Sequence, residues 1–266
     1  MFNLIKMNLY RMSRAVSTWV IAIITVCFAF MQFGSLKLIF DDPFNMFDGS
    51  ASSMVTFDRL DGVSAVSTFL QNSNVLIILA VFVVLFANAE HKCGFDKNLI
   101  GLSKNRWKQT LARWISAVIG MTALIAVGFG VMFGLTALFV DAFTLGSAVA
   151  MFKSLGLMYL GAVAFSAIFF FFTTLFNNSV GGVVSSLVIS LGIFSLIEML
   201  LDMAVKKIFS SPKVLPTDIF YDSVFMNFSH ADASTKAILI FAGISVAYIA
   251  LSLFGSMMLQ QKRDVK

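Results

Sequence analysis

Charged side chains are rare along this chain and fall in short clusters, separated by long runs that carry none. A helix rises about 1.5 Å per residue, so about 20 apolar residues cross about 30 Å of hydrocarbon. Uncharged stretches of that length recur. Trp19 to Leu36 predicts a first span, and a second lies within Val63 to Ala89, beginning near Asn74. A third runs from about Ile115 to Val140 and stops at Asp141. Ser154 to Ile197 is uncharged over about twice the length of one crossing. Its middle reads Asn177, Asn178, Ser179, Val180, Gly181, Gly182, the punctuation of a tight turn. The fourth and fifth spans are therefore expected as a hairpin, and Ala237 to Leu259 makes a sixth. The expected fold class is all-α: a polytopic membrane protein with six transmembrane helices and an N-terminal amphipathic interfacial helix, in one domain covering residues 1–266.

That interfacial helix is predicted over residues 1–17. Phe2, Ile5, Leu9, Met12 and Val16 recur at spacings of three and four, with Lys6, Arg11 and Arg14 between them. Such a helix lies along the inner membrane surface; a plain basic flank beside a span would read the same way. The run after Trp19 ends at Leu36 and Lys37 with no small-residue cleavage site, so it is expected as a retained span rather than a signal peptide.

Composition agrees with this picture. Hydrophobic residues make up 59% and charged residues 12%, whereas a soluble domain carries about 25% charge. The net charge of +5 points to lipid headgroups rather than nucleic acid, because the Lys and Arg residues flank apolar runs. Twelve of the nineteen, from Lys6 to Arg14, Lys92 to Arg113 and Lys262 to Lys266, fall on one side of the six-span arrangement. By the positive-inside rule that side is the cytoplasm and holds both termini. Residues 37–72 and 206–236 then face outward, the latter interrupted by Pro212 and Pro216.

Enzymatic chemistry finds little support. The string Glu90-His91-Lys92 lacks the second histidine of a metalloprotease helix, and His91 and His230 fall on opposite sides of the membrane. Cys27 and Cys93 suggest neither a disulfide framework nor a metal pair. No phosphate loop of the form GxxxxGK[ST] is present, so any ATP would be used by another protein. Gly128, Gly130 and Gly134 suit close helix packing. Glu198 and Asp202 share a helix face one turn apart; a proton relay is conceivable there, but the expectation is a pair marking the helix end near the outer headgroups. Five phenylalanines between Phe165 and Phe172 either line a path for an apolar substrate or pack against helices and lipid; Phe165, Phe169, Ser185 and Ser186 are the candidate pathway residues.

The inner loop between spans two and three, residues 89–114, carries six Lys or Arg against Glu90 and Asp96. Its order is an acid at the end of a span, a glycine, a basic residue, and then Gly101-Leu102-Ser103-Lys104-Asn105-Arg106-Trp107. This resembles the coupling segment of the type-2 ABC exporter permeases, where a Glu ends the second span and is followed by a Gly, a basic residue and a short Pro-Ser-Arg-like turn. Glu90, Gly94, Lys97, Ser103 and Arg106 take the matching places, with Gly101 and Lys104 in the same segment; Phe95 stands where a Thr is usual, and the turn proline is absent. The resemblance extends over the whole chain through the interfacial helix, the six spans and the Pro-containing outer segment before the last of them.

What the resemblance implies is a permease subunit of a bacterial plasma-membrane exporter, half of a translocation pathway. It would pair with a second permease chain, identical or related, and with two ABC-type ATPase subunits that bind ATP and Mg; this chain holds no cofactor itself and is not an enzyme. The cargo class would include amphipathic peptides, antibiotics or other hydrophobic compounds. The alternative is a non-transporting membrane assembly or regulatory subunit.

Overall fold

The computed structural model describes residues 2–41, 60–92, 106–141, 143–176, 178–208, 215–228 and 234–262. Among them the fold is all-α, with ten α-helices and no sheet beyond one isolated bridge between Asp61 and Thr144. Helix α1 (Phe2–Arg14) leads at Ala15 into α2 (Val16–Asp41). Then come α3 (Gly62–Leu70), α4 (Ser73–Lys92), α5 (Arg106–Phe139) and α6 (Ala148–Phe176). Helices α7 (Ser179–Ser190) and α8 (Ile193–Ile208) follow, then a 3-10 turn at Pro216–Asp218, α9 (Tyr221–Met226) and α10 (Thr235–Lys262).

Four helices, α2, α5, α6 and α10, are long and apolar enough to cross a bilayer unbroken. Two bent pairs, α3 with α4 at 52° and α7 with α8 at 57°, bring the number to as many as six where each pair makes one span. The chain is thus a multi-pass membrane protein with four to six spans. The predicted turn between the fourth and fifth is present: α6 ends at Phe176, and the Asn178 side chain caps α7 by accepting from Val180 N at 3.2 Å.

Both bends depart from the sequence expectation. The fifth span was expected to run unbroken to Ile197, but α7 covers only 12 residues, about 18 Å, before the chain turns at Leu191 and Gly192. Gly192 has φ +68°, a left-handed conformation that a side chain with a Cβ resists. Helix α4 starts beside the predicted Asn74, yet Gly62–Leu70, assigned from sequence to an outer segment, forms a helix of its own. Asp61 caps it, accepting from Ser64 N at 2.8 Å while Ser64 Oγ accepts from Asp61 N at 2.8 Å. Its apolar residues belong inside: Ala65, Val66, Phe69 and Leu70 are fully buried, and Phe69, like Thr25 of α2, lies against Gly128 on α5.

Helix α6 is the hub, with α3, α4, α7 and α10 packed around it. Close approach is possible where side chains vanish: the Phe225 ring lies on Gly161, and the Phe171 ring on Gly255 of α10. Helix α1 docks on α5, its Met12 against Gly120. At the far end of the chain, Gln260 of α10 bonds Thr110 of α5. Both ends of the chain therefore meet the N-terminal half of α5. The predicted apolar stripe of α1 is divided between two surroundings. Phe2 and Val16 are 80% and 77% exposed, while the one buried residue of α1 is the polar Asn8.

Candidate functional site

At the end of the bundle that carries the termini, α1 and the last turns of α4 enclose a cleft of about 350 Å³. Arg11, Arg14 and Asn8 face Phe82, Phe86 and Ala89 across it. The Arg14 guanidinium also lies 4.8 Å from the centre of the Tyr10 ring, a geometry that fixes its position. Lys6 stays exposed. Helix α4 runs only three residues, about 5 Å, past Ala89 of this cleft, to Lys92. From Gly120, where Met12 docks, helix α5 runs back for fourteen residues, about 21 Å, to Arg106. The loop they carry holds Gly94, Lys97, Gly101, Ser103 and Lys104, which lie outside the described residues, as do the side chains of Glu90 and Arg106. What the structure does bring together is Ala89, the neighbour of Glu90, with Arg11 and Arg14.

The other end of the bundle is organised around buried acids. Helix α8 has an inverted polarity: Leu196, Ile197, Met199, Leu200 and Met203 are exposed, whereas Glu198 is fully buried and Asp202 only 9% exposed. The acids therefore face protein. They meet the segment after α8, in which Pro216 starts the 3-10 turn and α9 dips back into the bundle. Asp202 accepts from Thr217 N at 3.3 Å and from Thr217 Oγ1 at 2.9 Å. Ser223 Oγ donates to Glu198 Oε2. Glu198 Oε1 and Asp222 Oδ1 are buried with no hydrogen-bond partner among the described residues.

Asp222 stands beside Gly192, at the N-terminus of α8, where the helix dipole favours a carboxylate. Burial outweighs that attraction, and with the charge of Glu198 adding to it the Asp222 carboxyl is pushed up to about 6. Next to Asp222, the Tyr221 hydroxyl reaches Gly161 O at 3.2 Å and Ser245 Oγ at 3.0 Å. Gly161 is thirteen residues into α6, about 20 Å from that helix's start, so α9 penetrates deeply. In hydrocarbon the carbonyls at the end of so short a helix need donors. Gln71, at the bend between α3 and α4, supplies them: its Nε2 donates to Phe225 O at 2.9 Å and to Phe228 O at 3.0 Å. One broken span thus holds, through α9, the break of the other.

Phe165 and Phe169 are buried in this same packing. The Phe165 ring meets Phe169, Tyr221 and Phe225 at 5.7, 4.9 and 5.1 Å between centroids. Ser185 donates back to Gly182 O at 3.0 Å, and Ser186 is buried on α7 with its hydroxyl unpartnered among the described residues. The phenylalanines that border a cavity are instead Phe171 and Phe172, with Tyr248 and Ser252 of α10, around about 270 Å³. Sequence reasoning missed Gln71, Gly192, Asp222 and Ser223. A signal was available: from Ile219 to Phe228 the outer segment is too apolar for a loop in water, with Phe220, Tyr221, Val224, Phe225 and Met226 in quick succession. No protein-family model and no curated protein matches this chain.

Proposed function

We propose that this chain is the membrane-spanning permease subunit of an ATP-driven ABC exporter, in a bacterial inner membrane with both termini in the cytoplasm. The observation that carries the reading is the cleft in which Ala89, the neighbour of Glu90, meets Arg11 and Arg14, close to where α4 ends and the basic segment follows in sequence. A cytoplasmic ATPase grips that segment. The mechanism is mechanical. ATP binding closes two partner ATPases, the segment between α4 and α5 transmits the movement, and helix α1 turns with it because it is wedged against both. Glu90, next to Ala89 in the α1 cleft, pairs with Arg11 or Arg14 and ties the two together. At the distal end the bends at Gln71 and Gly192 give the spans places to hinge. A second permease chain completes the pathway, for a hydrophobic or amphipathic cargo.

The test is purification of the full chain, tagged after Lys266, in mild detergent. An ABC-type ATPase should co-purify at near-equal amounts and be lost when residues 94–103 are scrambled in a chain that still inserts. If no ATPase is recovered under several gentle extractions, the exporter reading fails and a non-transporting assembly subunit replaces it.

A further inference from the structure

Two carboxylates with unpartnered, buried oxygens lie near each other at the distal end, and among the described residues no cation answers them. Glu198 and Asp222 are 0% and 7% exposed, and neither bonds to a Lys, Arg or His among the described residues. The described groups that face them are acidic or neutral. On α8 Asp202 is occupied by Thr217, and Lys206 and Lys207 point outward, exposed. On the 3-10 turn Asp218 accepts from Leu215 N at 2.9 Å. From α9 comes Tyr221, bonded to Ser245, and from α10 comes Tyr248, which donates to Ile219 O at 2.9 Å. Ser223 supplies one hydrogen bond to Glu198, which leaves Glu198 Oε1 and Asp222 Oδ1 without donors.

Two like charges in a poorly solvated place cannot both persist. The described residues contain no cluster suited to a metal, and a proton needs none. We propose that Glu198 and Asp222 form a proton-binding site holding one proton between them, and that this proton keeps α9 seated against α8.

The sign follows from which state holds the proton. In the seated state burial raises the affinity of Asp222 for it above that of a hydrated carboxyl, so seating is favoured at low pH and lost as pH rises. With the Asp222 carboxyl pushed up from 3.8 to about 6, the loss falls between those two values. Deprotonation leaves two charges facing each other, and α9 swings out, freeing Phe225 from its place on Gly161. This inference does not depend on the exporter reading, because it concerns only the contact between α8 and α9.

The experiment uses the full chain in lipid nanodiscs, with Cys27 and Cys93 replaced by Ser and spin labels at Leu200 and Ile219, two exposed positions on either side of the contact. Pulsed-resonance distances are recorded from about pH 3 to about pH 8, a range that brackets the ordinary carboxyl value and the raised one. One short distance at low pH, giving way to a longer population with a one-proton midpoint between 3.8 and about 6, is the expected result. Glu198→Gln should lower the midpoint, and Glu198→Gln with Asp222→Asn should abolish the transition and keep the short distance throughout. Infrared spectra of the unaltered pair should show a protonated-carboxyl band below the midpoint that the double variant lacks. A distance independent of pH in the unaltered pair, or a midpoint that survives in the double variant, overturns the proposal.

Discussion

Replacing Gln71 by Met isolates the link between the two broken spans. Methionine fills nearly the same volume but donates nothing, so the change removes two hydrogen bonds and little else. The bonds run from Gln71 Nε2 to Phe225 O and Phe228 O at 2.9 and 3.0 Å, well inside normal geometry. A net hydrogen bond is worth about 0.5 to 1.5 kcal/mol in water-soluble proteins, and interhelical bonds in membranes average about 0.6 kcal/mol. Phe225 O keeps a long contact from Phe228 N at 3.4 Å, which softens its loss. Two bonds together then contribute about 1 to 2 kcal/mol to holding α9, which corresponds to roughly a 5- to 30-fold change in its opening equilibrium. Hydrogen–deuterium exchange in nanodiscs reads that equilibrium directly. Peptides covering residues 221–228 should exchange roughly 5 to 30 times faster in Gln71→Met, while those from α2 and α5 hold their rates. Unchanged rates at 221–228, or acceleration spread evenly along the chain, would refute the idea that Gln71 acts locally as the cap of α9.

Three other substitutions probe the packing. Gly120→Leu should dislodge α1, because a Cβ there would already meet Met12 Sδ at 2.5 Å and Phe82 Cζ at 2.6 Å; trypsin should then cut at Lys6, Arg11 and Arg14 faster, and an unchanged rate would mean that α1 is not held by this contact. Gly182→Val should destabilise the bundle by about 1 to 3 kcal/mol, since the new atoms run into Val84 at 2.9 Å and the Thr173 backbone at 3.3 Å; equal resistance to denaturant would show that α7 does not sit between α4 and α6. Phe225→Ala should cost about 3 to 5 kcal/mol by opening a cavity, whereas Ile219→Ala, at a position 57% exposed, should cost far less; similar losses of thermal stability in the two variants would contradict the burial of α9.

How much of this was legible in the sequence depended on range. The long spans α2, α5, α6 and α10 follow from the length and composition of uncharged runs, quantities local to each segment. The turn at Asn178 was equally local, since amides and glycines in an apolar run have few other uses. Glu198 and Asp202 were visible as a pair on one helix face, but their burial was not: the groups that make it tolerable, Thr217 and Ser223, lie 15 and 25 residues further on. The bend at Gly192 was hidden for a related reason, because a lone glycine in an apolar helix more often marks close packing than a left-handed turn. Helix α3 was lost to its neighbours, since a second span beginning near Asn74 left Val63 to Leu70 with the outer segment. The segment at the termini was read through a resemblance in residues 90–106, which spacing suggests and only partner binding can test.

The inverted polarity of α8 has a consequence for the order in which the molecule is made. Translation delivers Glu198 and Asp202 well before Thr217 and Ser223, so when α8 first reaches the membrane its carboxyls have no protein partners. A carboxylate at mid-bilayer costs about 2.5 to 3.5 kcal/mol on insertion scales, enough to hold the nascent helix out at the lipid surface. It can sink and turn its acids inward only once residues 215–226 have followed and α10 has inserted to give Tyr221 its partner Ser245. Residues made later thus complete a contact whose first half was laid down earlier, and the acids stay uncovered until they arrive.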